Sequence, residues 1–168
     1  MSKNTKEALI WIESIFRKRK IPFIVWGGFA AKVYGSRRGL ADIDIDIPNK
    51  KVFEISKTEE INKHIVYGPK IYKDNNFQIL LMTLKYKGQL IDVCGSSNQK
   101  IFNKKTKKWE LLHEHFSKAI KKKIYGIFVP AVPLRELINY KKKMARRVDL
   151  KDVKELEKII KKNQKFSS

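Results

Sequence analysis

Apolar residues recur at helical spacing near the start of the chain. Ala8, Leu9, Ile12, Ile15 and Phe16 fall on one face, so a helix is predicted over residues 5–19, with Thr5 as its candidate cap. After Pro22 the continuous apolar run Phe23-Ile24-Val25-Trp26 reads as a short buried strand. Gly27-Gly28 turns the chain into a second helix over 29–34, closed by Gly35. The period then switches to two. Asp42-Ile43-Asp44-Ile45-Asp46-Ile47 alternates charge and apolar bulk, which predicts a strand that Pro48 ends. Residues 52–63 are weakly helical. Strands are predicted over 65–72 and 77–86. Lys87-Gly88 is a turn signal, and 89–94 returns as the antiparallel partner. Residues 100–108 read as a basic exposed loop and 109–115 as a short helix or irregular segment. One or two strands are predicted within 118–129, with Lys121, Lys122 and Lys123 exposed. A helix over 133–144 starts on a proline, where the missing N–H costs little. The last helix, 149–162, places Val153, Leu156, Ile159 and Ile160 on one face, with Asp149 as cap and Asp152 in its first turn. Strands mixed with helices, without internal repeat or linker, predict one α/β (α+β) domain over 1–168. It divides into an α/β core over 1–130 and a helical C-terminal portion over 131–168.

Composition supports a folded chain: of 168 residues, 42% are hydrophobic and 11% aromatic. No apolar run is long enough to span a bilayer, and the polar start predicts no secretory signal. A single cysteine, Cys94, rules out an internal disulfide framework and fits a cytoplasmic protein. Charge changes the picture more. The formal net charge is +21, and two thirds of the excess lies from Lys100 onward. A field of that sign attracts polyanions, so RNA is the natural macromolecular partner; solubility alone is the competing explanation. Lysine outnumbers arginine, which argues against base-specific readout.

The aspartate row carries the candidate chemistry. Side chains at i, i+2 and i+4 of a strand share a face, so Asp42, Asp44 and Asp46 project together while the isoleucines bury the other face. Carboxylates that close raise one another's pKa unless a cation lies between them. Hard oxygen ligands favour Mg²⁺. A half-exposed surface strand would also alternate, yet aspartate is a poor strand former and a stacked row is an odd choice for solubility. Gly27 and Gly28 sit one short helix upstream, where bare backbone could approach an anion; a plain tight turn is the alternative.

From Gly27-Gly28 through Ser36-Arg37-Arg38 to Asp42-Ile43-Asp44, the segment resembles the signature of the polymerase-β-like nucleotidyltransferase superfamily. The spacing is similar to that of small members such as lincosamide nucleotidyltransferases and abortive-infection toxins. The tail, with Lys141 in one helix and Lys151-Asp152 near the start of the next, is similar to a C-terminal pattern of the same group. The resemblance implies the nucleotidyltransferase fold, a mixed twisted sheet flanked by helices. It implies Mg²⁺-dependent transfer of a nucleoside monophosphate from an NTP, ATP among them, to a hydroxyl, through a two-metal site. Asp42 and Asp44 would be the first two metal ligands, and Asp92, on a neighbouring strand, the third and the group near the attacking hydroxyl. Gly27 and Gly28 would cradle the triphosphate, Ser36 and Arg38 would grip it, and Lys141 would add a point charge. Lys142 and Lys143 are rivals for that last role, and Lys151-Asp152 reads rather as a device that docks the last helix. A solvent-facing hairpin residue is the lesser alternative for Asp92. Asp46 is surplus; it could extend the metal site, but is expected rather to face water at the strand end.

The remaining motifs are weaker. His113 and His115 flank Glu114 without a matching ligand set, which favours a surface loop. Gly95-Ser96-Ser97 lacks the context of a hydrolase nucleophile, and Cys94 reads as a small buried hydrophobe. Trp11, Trp26 and Phe23 read as core. Trp109 could stack on a base or simply pack. The acceptor stays open among RNA or tRNA ends, a small molecule such as an antibiotic, and a protein side chain. A catalytically degenerate nucleic-acid-binding module and a toxin held by an antitoxin protein are the rival functions.

Overall fold

The structure, a computed structural model, describes residues 3–112 and 116–165. Eight strands form one sheet in the order β3-β4-β5-β2-β1-β8-β7, with β6 attached to β5. The chain opens with α1 (Lys3–Lys18), β1 (Ile24–Val25), α2 (Gly27–Val33) and β2 (Asp42–Ile47). Helices α3 (Asn49–Ser56) and α4 (Glu59–Asn62) follow, where the sequence suggested one weak helix. Then come β3 (Ile65–Lys73), β4 (Phe77–Tyr86), β5 (Gln89–Asn103), β6 (Lys108–Leu111), β7 (Ile120–Ile124) and β8 (Ile127–Ala131). Helices α5 (Leu134–Met144) and α6 (Arg147–Lys165) close the fold. Among the described residues no helix is long and apolar enough to cross a membrane.

The alternation in β2 does what a pleat requires. Ile43, Ile45 and Ile47 are fully buried on one face, and they join Leu9, Ile12 and Phe16 of α1 in the core. The aspartates occupy the other face. β2 is central: it pairs antiparallel with β1 and parallel with β5, with Asp44 opposite Asp92. β4 and β5 form the predicted hairpin, with Thr83 opposite Asp92.

Five local expectations are corrected. Thr5 does not precede α1 as its cap; it lies inside the helix, and its Oγ1 donates to Gln89 Oε1 at 2.6 Å, a tertiary bond. β5 does not end at Cys94 but runs to Asn103; its first half pairs with β2 and its second with β6. The lysine-rich stretch after Lys100 is therefore mostly hairpin, because lysine stems tolerate strand geometry where the heads reach water. Its turn is set by Asn103, whose Oδ1 accepts from the backbone N–H of Lys105 and Thr106 at 2.9 and 3.2 Å. Residues 109–111 are strand rather than helix, while His113, Glu114 and His115 lie outside the described residues. Asp149 is not the residue before α6 but sits in its first turn and reaches back, its Oδ2 accepting from Arg146 N–H at 3.2 Å.

The C-terminal helices are fastened to the sheet by buried charge. Lys141 of α5 is 1% exposed, and its Nζ lies 2.9 Å from Asp152 and 3.4 Å from Asp149, both on α6. Asp152 also accepts from Arg38 Nε and Nη2, at 3.0 and 3.2 Å, and from Ser36 Oγ at 3.3 Å. One carboxylate thus joins α6, α5 and the loop that leads into β2. Removing the central cation strands two buried carboxylates on their remaining partners. Lys141→Met is expected to cost about 3 kcal/mol of stability, the lower end for a broken buried pair, read as a lower midpoint in urea denaturation at unchanged slope.

Candidate active site

β2 and β5 run parallel with Asp44 opposite Asp92, so three carboxylates from two strands face one space. One oxygen each from Asp42, Asp44 and Asp92 lies within 4.8 Å of the others. Two of the three carboxylates are already held by one oxygen. Asp44 Oδ2 accepts from the backbone N–H of Gly28 at 2.9 Å, and Asp92 Oδ1 accepts from Thr83 Oγ1 at 2.7 Å. These bonds fix both carboxylates and leave one oxygen of each without a hydrogen bond from the same donor.

The glycines are there for space as much as for conformation. Gly27 has φ +58°, a left-handed backbone, and a Cβ added there would run into the Asp44 carboxylate. A Cβ at Gly28 would fall 2.6 Å from Arg38 Nη2. The pair therefore brings α2 against the acidic row with nothing in between. In this structure the Gly28 N–H points at Asp44.

The carboxylates are held in a costly state. Burial, reinforced by the charges of Asp42 and Asp92, pushes Asp44 up to about 7. Burial also raises Asp42, against the pull of Arg38, and raises Asp92, against the Thr83 hydrogen bond. A divalent cation between them would reverse the balance. The residues fit such an ion: all donors are hard carboxylate oxygens, and ligands on one octahedral Mg²⁺ lie about 3–4 Å apart at its usual bond length. A span of 4.8 Å accommodates one or two ions.

The acidic row lies in a cleft of about 560 Å³. Arg38, Lys141 and Arg146 approach from the side of the C-terminal helices, while Tyr72, Phe77 and Leu81 form part of the wall built by β3 and β4. Arg38 reaches the cleft as expected, its guanidinium fixed by Asp152. Ser36 does not. It is 2% exposed and its hydroxyl bonds Asp152, so it supports the network behind Arg38. Lys141 touches the cleft wall, yet its charge is engaged by Asp149 and Asp152. Lys142 and Lys143 turn outward to Glu157 and Glu110. Asp152 docks the last helix, as its place in the tail pattern suggested.

Asp46 is a correction. It does not face water but is 9% exposed, with its Oδ2 accepting from Gln99 Nε2 at 2.9 Å, and burial pushes it up to about 8. The strand continues into the fold where an exposed end was expected. Arg146 was missed: it sits in an undifferentiated basic run, and only the spacing Arg146-x-x-Asp149, which makes the ion pair of 2.6 Å, could have singled it out. Cys94 lines the cleft, and burial pushes its thiol up, so it is no ready nucleophile. Trp109 packs edge-on against Phe102 with centroids 5.6 Å apart.

No protein-family model and no curated protein matches the chain by sequence. Solved structures do match. A protein from Thermotoga maritima assigned as a nucleotidyltransferase aligns over 95% of this chain and 94% of its own, at 15% identity and a TM-score of 0.61. The lincosamide antibiotic adenylyltransferase LnuA, with lincomycin bound, aligns over 91% of this chain and 96% of its own, at 16% identity and a TM-score of 0.59. ANT(2")-Ia in complex with adenylyl-2"-tobramycin aligns over 98% and 99%, at 12% identity and a TM-score of 0.54. The chain thus has the nucleotidyltransferase fold, a mixed sheet flanked by helices, as the sequence motif implied.

The raised pKa of Asp44 has a definite sign. A carboxyl held above its unfolded value of about 3.9 contributes fully below that pH, and the contribution is lost as pH rises through about 7. Added Mg²⁺ is therefore expected to raise the melting temperature more at pH 8 than at pH 6. Asp44→Asn is expected to melt higher than the parent at pH 8 without metal and to lose most of the Mg²⁺-dependent increment. Differential scanning fluorimetry across pH checks both.

Proposed function

We propose that the protein is a divalent-metal-dependent nucleotidyltransferase that moves a nucleoside monophosphate from an NTP to a hydroxyl. The observation that carries this reading is the convergence of Asp42, Asp44 and Asp92 beside the Gly27-Gly28 turn. Bound there, Mg²⁺ would neutralise phosphate charge and lower the pKa of the attacking hydroxyl. Asp42 and Asp44 would hold the ions. Asp92 stands on the next strand with Oδ1 accepting from Thr83, and in this reading its other oxygen takes the acceptor proton. Its raised pKa makes it a better base than an ordinary carboxylate. The new bond forms between the acceptor oxygen and the α-phosphorus, the bond to the bridging oxygen breaks, pyrophosphate leaves, and the proton passes to Asp92. Arg38 steadies the phosphates from the C-terminal side.

A small hydroxylated acceptor of antibiotic type is the first candidate, because structural neighbours carry lincomycin and adenylyl-tobramycin and the cleft is of small-molecule size. The net charge of +21 favours an RNA end as the second.

The test is transfer of label from each α-labelled NTP, with Mg²⁺, to a panel of lincosamides and aminoglycosides and to total RNA. Asp42→Asn and Asp44→Asn are expected to abolish transfer, and Asp92→Asn to lower kcat by about 10²–10⁴-fold, the range for a lost general base. Undiminished transfer by the Asp42 and Asp44 variants would sink the metal-site reading. Binding of NTP without transfer to either class would reject both acceptors.

A further inference from the structure

The cations on the C-terminal side of the cleft are unequal. Lys141, Arg38 and Arg146 share two carboxylates, Asp149 and Asp152, so this network holds one positive charge in surplus. Lys141 cannot present that surplus, because its side chain is 1% exposed and its ammonium sits between both carboxylates. The arginines can.

Arg146 is held in a defined pose. Its Nε and Nη2 donate to Asp149 at 2.6 and 3.1 Å, which fixes one edge of the guanidinium. The Phe77 ring covers it from β4, with the guanidinium carbon 4.9 Å from the ring centroid. Ala145, at φ +47°, ends α5 in a left-handed turn and delivers Arg146 into the cleft. Its side chain is 33% exposed, and among the described residues no acceptor engages Nη1. Arg146 and Arg38 both pull the pKa of Asp42 downward, so both fields converge on the metal-facing carboxylate. A guanidinium with an open edge, held in plane beside the aspartate cluster, suits phosphate oxygens better than a mobile ammonium does.

We propose that Arg146, rather than Lys141, grips the β- and γ-phosphates of the donor nucleotide; this rests on the nucleotidyltransferase reading above. The α-phosphate would lie nearest the aspartates, where divalent ions would be held. The leaving pyrophosphate is left to Arg38 and Arg146, which bracket it.

Equilibrium binding of the four NTPs and the four NMPs with Mg²⁺, compared between parent, Arg146→Ala and Arg146→Lys, tests the proposal. Arg146→Ala is expected to weaken the preferred NTP by about 10–100-fold, the scale of one or two charged hydrogen bonds, and to leave the matching NMP unchanged. Arg146→Lys keeps a cation beside Asp149, and so remains readable should the alanine variant misfold; it is expected to recover only part of the NTP affinity. In turnover, the KM for NTP should rise while that for the acceptor stays. Equal NTP affinity in parent and both variants overturns the proposal. So does a parallel loss of NMP affinity, which marks a merely structural role, or a rise confined to the acceptor KM, which marks an acceptor anchor. Parent protein that binds no nucleotide fails the underlying reading as well, and is distinguished by the parent measurement alone.

Discussion

Everything in this fold is arranged around mutual repulsion of carboxylates on one sheet face. Asp42 and Asp44 cannot avoid each other, because a strand repeats its facing every two residues, and Asp92 is brought opposite by the parallel register of β5. Nothing in apolar packing requires such a cluster. The isoleucines on the reverse face bury it in place, so the sheet cannot relax by turning the aspartates away without exposing Ile43 and Ile45. The core holds the aspartates in place, so burial first, and repulsion second at Asp44, raises their affinity for protons, and a divalent cation would relieve the same charge.

The second acidic group works in the opposite sense. Asp149 and Asp152 are also buried, but each lies against cations, and burial there serves connection. Through Asp152 the last helix grips Arg38 and Lys141 at once, and through Asp149 it grips Lys141 and Arg146. The same bonds that fasten α6 to the sheet therefore orient the two arginines at the cleft. Stability and ligand geometry are coupled here, because a shift of α6 would move both guanidinium groups together.

A net charge of +21 does little to define this site. Lys142 and Lys143 pair with surface glutamates, and Lys141 is neutralised inside. The lysines of β7 lie at the far edge of the sheet, where charged edge strands discourage pairing with other chains. What acts on the candidate active site is a short-range set of charges with fixed partners, and the wider field bears on encounter with polyanions.

The chain's local pattern was enough for the elements that carry the chemistry. Alternation in Asp42–Ile47 put the aspartates on one face whatever surrounded the strand, since the pleat is a property of the backbone. Gly27-Gly28 announced a close approach, and Lys87-Gly88 announced the hairpin that carries Asp92. Long-range geometry settled the rest. The register of β5 on β2 turned Asp92 inward; the continuation of β5 to Gln99 buried Asp46; the docking of α6 drew Lys141 into an ion pair and left Arg146 at the cleft. In a run such as Lys141-Lys142-Lys143 or Arg146-Arg147 the residues are alike, and which one faces a ligand depends on the rotation of a helix against partners far away in the sequence. Backbone periodicity acts over a few residues and can be read along the chain. The pairing of charges depends on distances through space, which exist only once the sheet and its helices have assembled.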